Sequence, residues 1–221
     1  INFSQLFMDM GISNAIIHKQ DISKTQLSSL YWLNIFSGLF LTMLIFFISP
    51  LIGTFYDEKE IVPLLRLLSI SFFITSLSNQ FRTLFKKNLK FSFIGKSEIF
   101  SGFIAFFCSI ILAINGFGVY SIIYPTLINI FILSGIFFIV GINKYKPKMV
   151  YDYKKIKTFI SFGLYQMGQN SIIYFNNQFD IILIGKLLGI EALGIYSVIK
   201  QLVMRPAQIV NPVVTNVTFP L

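Results

Sequence analysis

The stretch LYWLNIFSGLFLTMLIFFISPLIGTF, Leu30 to Phe55, contains no Lys, Arg, Asp or Glu. A helix rises about 1.5 Å per residue, so about 20 apolar residues cross a bilayer's hydrocarbon core, and this stretch is longer than that. Inside lipid every backbone polar group must be satisfied, which a helix does within one segment. Working outward, five more stretches read the same way: Ile61 to Leu84, Phe93 to Asn115, Val119 to Ile142, Thr158 to Ile184 and Gly194 to Pro220. Ile1 to Ile17 reads as the inner end of a further helix. The expected fold class is all-α, a polytopic membrane helical bundle.

Composition agrees. Hydrophobic residues make up 55% and charged residues 12% of the 221 positions, where an ordinary soluble domain has about a quarter charged. One cysteine, Cys108, allows no internal disulfide, and one histidine, His18, leaves no second imidazole for a metal site. No metal and no cofactor are expected. The chain opens on Ile1 and stops on Phe219-Pro220-Leu221, which reads as a piece of a longer protein cut inside helices at both ends.

The net charge of +9 would suggest nucleic acid in a soluble protein, but its distribution points to a membrane. Lys19 and Lys24 precede the first span, Lys86, Lys87 and Lys90 separate the second from the third, and Lys144, Lys146, Lys148, Lys154, Lys155 and Lys157 separate the fourth from the fifth. The alternate connectors are acidic or neutral: Asp57, Glu58 and Glu60 around Lys59, then Asn115 to Gly118, then Leu188 to Leu193. Short lysine-rich loops resist translocation, so the basic side is expected in the cytoplasm. Tyr31 and Trp32 are expected as anchors at that interface. Gly118-Val119-Tyr120-Ser121-Ile122 and Gly194-Ile195-Tyr196-Ser197-Val198 resemble each other, and both would open a helix entering from outside.

Polar groups at membrane depth are costly and usually face a bundle interior or a wet cavity. In the fifth span Gln166, Gln169, Asn170, Asn176, Asn177 and Asp180 recur on one helical face. That face either lines a cavity, where amides bond sugar hydroxyls, or holds a neighbouring helix. In the sixth span Tyr196, Lys200, Ala207 and Asn211 share a face, and Gln201, Arg205 and Gln208 another, with Pro206 between the turns. Lys200 suits an anionic substrate group, its alternative being outward snorkelling; Arg205 suits the same role or an ion pair. Arg66, on a face with Ser69, Ser76 and Gln80, either snorkels or reaches a cavity. Glu98 begins a small-residue packing face with Gly102, Ala105, Ser109 and Ala113 and is expected to pair with a loop lysine, while Arg82 marks the inner boundary. No nucleophile-base set, phosphate loop or ligand cluster emerges, so an enzyme is not expected.

Asp9-Met10-Gly11-Ile12-Ser13-Asn14-Ala15-Ile16-Ile17-His18-Lys19-Gln20-Asp21 resembles the inner end of the second helix of polysaccharide export proteins. Gly116 to Ser121, Asn177-Gln178-Phe179-Asp180, Ile184 to Gly189, Leu193 to Ser197 and Pro206 continue the likeness in order. The family is the Wzx-like lipopolysaccharide and O-antigen flippases, in their colanic-acid-exporter-like branch of the multidrug/oligosaccharidyl-lipid/polysaccharide exporter superfamily. The resemblance implies a partial two-lobe fold, from the end of family helix two through most of helix eight of about fourteen. Residues 1–143 would then belong to the amino-terminal lobe, 144–157 to a basic cytoplasmic linker, and 158–221 to the first two helices of the second lobe.

It also implies a bacterial inner-membrane flippase for polyprenyl-diphosphate-linked oligosaccharide, with membrane lipids and other polysaccharide assembly proteins as partners and no nucleic acid. On that reading Lys200, with Arg205 or Arg66, attracts the diphosphate. Gln169, Asn170, Asn176 and Asn177 face sugar hydroxyls, and Asp180 balances the cations or couples an ion. The alternatives are a drug/cation antiporter of the same superfamily and a membrane glycan polymerase or acyltransferase.

Overall fold

The computed structural model describes residues 11–19 and 21–218, with side chains described except at residues 18 and 207–218. Among the described residues there are seven helices and no strand: α1 (Ile12–His18), α2 (Lys24–Tyr56), α3 (Ile61–Lys87), α4 (Phe91–Ile114), α5 (Tyr120–Tyr145), α6 (Tyr153–Leu187) and α7 (Gly189–Thr218). The rest of the Ile1 to Ile17 segment, Asp9, Met10 and Gln20 lie outside the described residues, as do the side chains of His18, Ala207, Gln208 and Asn211.

By length and composition α2 to α5 can each cross a membrane. Helices α6 and α7 have the length, 35 and 30 residues, but are not among the helices apolar enough by that measure. In α6 the Gln, Asn and Asp stripe lowers the hydropathy.

Helix α2 begins before the apolar stretch because a capping box starts it: the Ser23 hydroxyl accepts from Gln26 N, and Ser23 N donates to Gln26 Oε1. Two prolines then shape the bundle. Pro50 has no N–H, which leaves the Phe46 carbonyl without its helical donor, and the Ser49 hydroxyl donates to that carbonyl at 2.8 Å. Pro125 in α5 likewise frees the Ser121 carbonyl, and Ser109 of α4 donates to it at 2.8 Å across the helix contact.

The most extensive contact joins α2 to α3. It is close because Gly38 lies against Ser76, where a β-carbon would come within 2.4 Å. Gly141 of α5 similarly admits the Phe81 ring of α3, which a β-carbon would meet at 2.2 Å. At the basic end Ile12, Ile16, Leu30, Leu84, Ile156 and Phe159 form one apolar cluster that ties α1, α2, α3 and α6 together.

The three basic connectors meet at one end of the bundle. Asn88 Nδ2 donates to Tyr145 Oη at 2.9 Å, Trp32 Nε1 donates to Lys148 O at 3.0 Å, and Lys87 Nζ donates to Lys19 O. At the other end Lys186 pairs with Asp57 at 3.2 Å. The extended part of the fourth-to-fifth connector is only 146–152, since α5 runs to Tyr145 and α6 starts at Tyr153. It is fastened to α2: Ser28 Oγ accepts from Lys148 N at 3.0 Å, and Ser29 Oγ accepts from Asp152 N at 2.9 Å.

Several local expectations are corrected. Tyr31 is buried and points at Leu77 O rather than anchoring at the surface, because α2 starts two turns earlier than its apolar run. Gly194 to Ser197 lie inside α7 rather than at its start, so the likeness to Gly118 to Ile122 is not one of helix openings. Glu98 pairs with Arg82 of α3, not with a loop lysine. Gly102 faces open space, and the packing face of α4 runs through Ser97, Ser101 and Ala105.

Candidate functional site

Helices α6 and α7 form a hairpin turned at Leu188 and Gly189, where the glycine takes φ +83°. At about 100° per residue, Gln166, Gln169, Asn170, Asn176, Asn177 and Asp180 span roughly 120° of α6. The lower half of this stripe, nearest the hairpin, meets the face of α7 that carries Tyr196 and Lys200.

Lys200 Nζ donates to both carboxylate oxygens of Asp180 at 2.8 Å and to Asn177 O at 2.6 Å. An ammonium has three donors, and this geometry occupies all three. Asp180 also accepts from the Tyr196 hydroxyl and, through Oδ1, from Ile181 N at 2.9 Å. The Lys200 and Asp180 side chains are 20% and 36% exposed, so the pair is part-buried at the edge of the hairpin.

A cavity of about 620 Å³ opens beside the pair, lined by Asn176, Asn177, Asp180, Tyr196, Lys200 and Met204 among others. Lys200 lies eleven residues from the start of α7, roughly 16 Å along its axis. It is farther from the helix start than the sequence suggests, because α7 begins at Gly189 rather than Gly194. The opposite face of α6 is apolar: Tyr174, Phe175 and Ile182 line a second cavity of about 610 Å³ with Ile45, Leu51 and Phe55 of α2.

Of the expected site residues, the structure gathers Lys200, Asp180, Asn176 and Asn177. Gln169 and Asn170 are on the same face of α6 but two to three turns away, and they do not line the cavity. Arg205 is exposed and also outside it. Arg66 is elsewhere: its Nε donates to Ser49 Oγ at 3.3 Å and its guanidinium lies 4.8 Å from the Phe46 ring centre, bracing the Pro50 turn of α2. Tyr196 had its signal in the sequence, one turn before Lys200, but its bond to Asp180 needed two helices to be placed together. Among the described residues no group of three His, Cys, Asp or Glu side chains could hold a metal.

The sequence model of the family described as "Polysaccharide biosynthesis protein" matches residues 1–221. The teichuronic acid biosynthesis protein TuaB of Bacillus subtilis is 37% identical over 99% of the chain and 45% of its own length. The lipopolysaccharide biosynthesis protein WzxC of Escherichia coli is 28% identical over 100% of the chain and 45% of its length. The succinoglycan biosynthesis transport protein ExoT of Rhizobium meliloti is 21% identical over 100% and 44%. The chain thus spans about half the length of these relatives. No solved structure matches significantly.

Proposed function

Since this chain belongs to the polysaccharide biosynthesis protein family, we propose that it forms part of an exporter that flips polyprenyl-diphosphate-linked oligosaccharide across the bacterial cytoplasmic membrane. The observation that carries the reading is the cavity between α6 and α7, where Asn176 and Asn177 line the wall beside the Lys200–Asp180 pair. Asn176 and Asn177 offer donors and acceptors to sugar hydroxyls. Lys200 offers the charge for a diphosphate, and because Asp180 and Asn177 take all its donors, the phosphate binds by displacing Asp180. Asp180 thereby balances the cation when the cavity is empty. The Gln169 and Asn170 turn extends the polar track along α6.

The apolar cavity between α2 and α6 supports a sideways opening that leaves the polyprenyl chain in lipid. In this reading residues 1–143 belong to one lobe, 158–221 open the second, and the fastened connector lies in the cytoplasm. The protein is a transporter rather than an enzyme, and its partners are the lipid-linked glycan, membrane lipids and other polysaccharide assembly proteins.

The antiporter alternative has one observation in its favour, the Asp180 carboxylate and Tyr196 ring beside the cavity. Lys200 already occupies that carboxylate, which disfavours a cationic substrate. The test is leaflet assignment of lipid-linked intermediates in a strain lacking the full-length protein. The exporter reading expects them to accumulate on the cytoplasmic leaflet and to clear when the protein is restored. Intermediates that reach the outer leaflet yet stay unpolymerised would replace it with the polymerase reading.

A further inference from the structure

A second polar pocket, apart from the α6–α7 cavity, lies at the basic end of the bundle. Its volume is about 390 Å³, within the range of ligand pockets, about 300–1,000 Å³. The rim carries Lys24, Lys144, Lys146 and Lys148, and the floor includes Ser28, Gln80, Phe81 and Leu84. No carboxylate lines it, and none of the four lysines forms an ion pair among the described residues.

The floor is dry and the rim is fixed. Gln80 is 2% exposed; its Nε2 donates to Leu27 O at 2.8 Å, while its Oε1 is buried without a partner. An unpaired buried acceptor is destabilising and calls for an explanation. The connector that supplies Lys146 and Lys148 is held to α2 through Ser28, Ser29 and Trp32, so the charges are presented rather than left on a free loop. Gln80 lies seven residues from the end of α3, about 10 Å inside it, and basic pockets between helices at this level suit phosphate head groups.

We propose that this pocket binds a phosphate ester with a hydroxyl beside the phosphate, as in a phosphoglycerol group, Lys24, Lys146 and Lys148 holding the phosphate and the Gln80 side chain turning its buried Oε1 outward to accept from the hydroxyl. The group is either a lipid head group or a soluble ester. This goes beyond the transport reading and stands whether or not Lys200 meets a diphosphate.

The test uses the full-length protein. In nanodiscs of phosphatidylcholine containing some phosphatidylglycerol, native mass spectrometry counts the lipids retained; in neutral detergent, calorimetric titration with glycerol 3-phosphate tests the soluble source. Wild type should retain phosphatidylglycerol preferentially, and Lys146→Gln with Lys148→Gln should lower that preference about tenfold. Lys154→Gln with Lys157→Gln removes equal charge outside the pocket and should leave it intact. Gln80→Leu should lower it about threefold.

Lysine-dependent binding of the soluble ester would assign that source, and lipid retention alone the head group. Equal retention in wild type and the Lys146/Lys148 variant, without lysine-dependent ester binding, would overturn the site. An equal loss in the Lys154/Lys157 control would reduce it to diffuse surface attraction, which also overturns it. If Gln80→Leu does not give monodisperse protein, the two lysine pairs decide, since all four side chains are exposed.

Discussion

Lys200 of α7 spans the hairpin to Asp180 of α6, with its ammonium 2.8 Å from each carboxylate oxygen. Neither charge is free while the other is present. In the proposed exporter a substrate anion competes with Asp180 for Lys200, so the two residues are expected to act as a unit.

Replacing Lys200 with alanine should lower export roughly tenfold or more at matched protein abundance, by losing the attraction for the anion. Arginine should keep part of the activity, since it retains charge but changes donor geometry. The double variant Lys200→Ala with Asp180→Asn should export no better than Lys200→Ala. Surface glycan and membrane protein level, measured together in a strain lacking the native exporter, separate these outcomes. Normal export by Lys200→Ala would remove the anion-binding role.

The two faces of α6 should differ in hydration. Single cysteines at Gln169 and Asn176, in a Cys108→Ala background, should react with a water-soluble maleimide at least about tenfold faster than cysteines at Phe175 and Ile182, because polar stripes at membrane depth face water. Equal rates would make the stripe a helix contact instead.

Close helix approach at two glycines gives a stability prediction with a built-in control. Gly38→Ala and Gly141→Ala each place a methyl within 2.5 Å of Ser76 or Phe81 atoms, whereas Gly135→Ala meets nothing within 4 Å. The first two should cost about 1–3 kcal/mol through overpacking, and the third nothing measurable. Thermal unfolding of the full-length protein in detergent reads the difference; a similar loss at Gly135 would contradict the packing described for α2, α3 and α5.

The orientation is open to direct labelling. A cysteine at Lys148 should resist an impermeant reagent in intact cells and one at Lys59 should react, because lysine-rich short loops stay in the cytoplasm. Both positions are exposed. The reverse pattern would invert the bundle and move the lysine-rimmed pocket to the outer face.

Hydropathy and loop charge are properties of contiguous chain, which is why the helices, their alternation and the common end of the basic connectors were legible in the sequence alone. The polar stripe of α6 was legible for the same reason, since helical periodicity alone puts Asn176, Asn177 and Asp180 on one face. What each charge touches is a different kind of fact. Arg66, Glu98 and Lys200 look alike in sequence, each an ionisable group inside a helical span. The fold sends Arg66 to brace Ser49 beside Pro50, Glu98 to Arg82 and Lys200 to Asp180. Those outcomes depend on which helices become neighbours and at what height. Both are decided by side-chain packing between distant segments, such as Gly38 against Ser76 and Gly141 against Phe81, and by a helix start at Gly189 that local hydropathy placed too late.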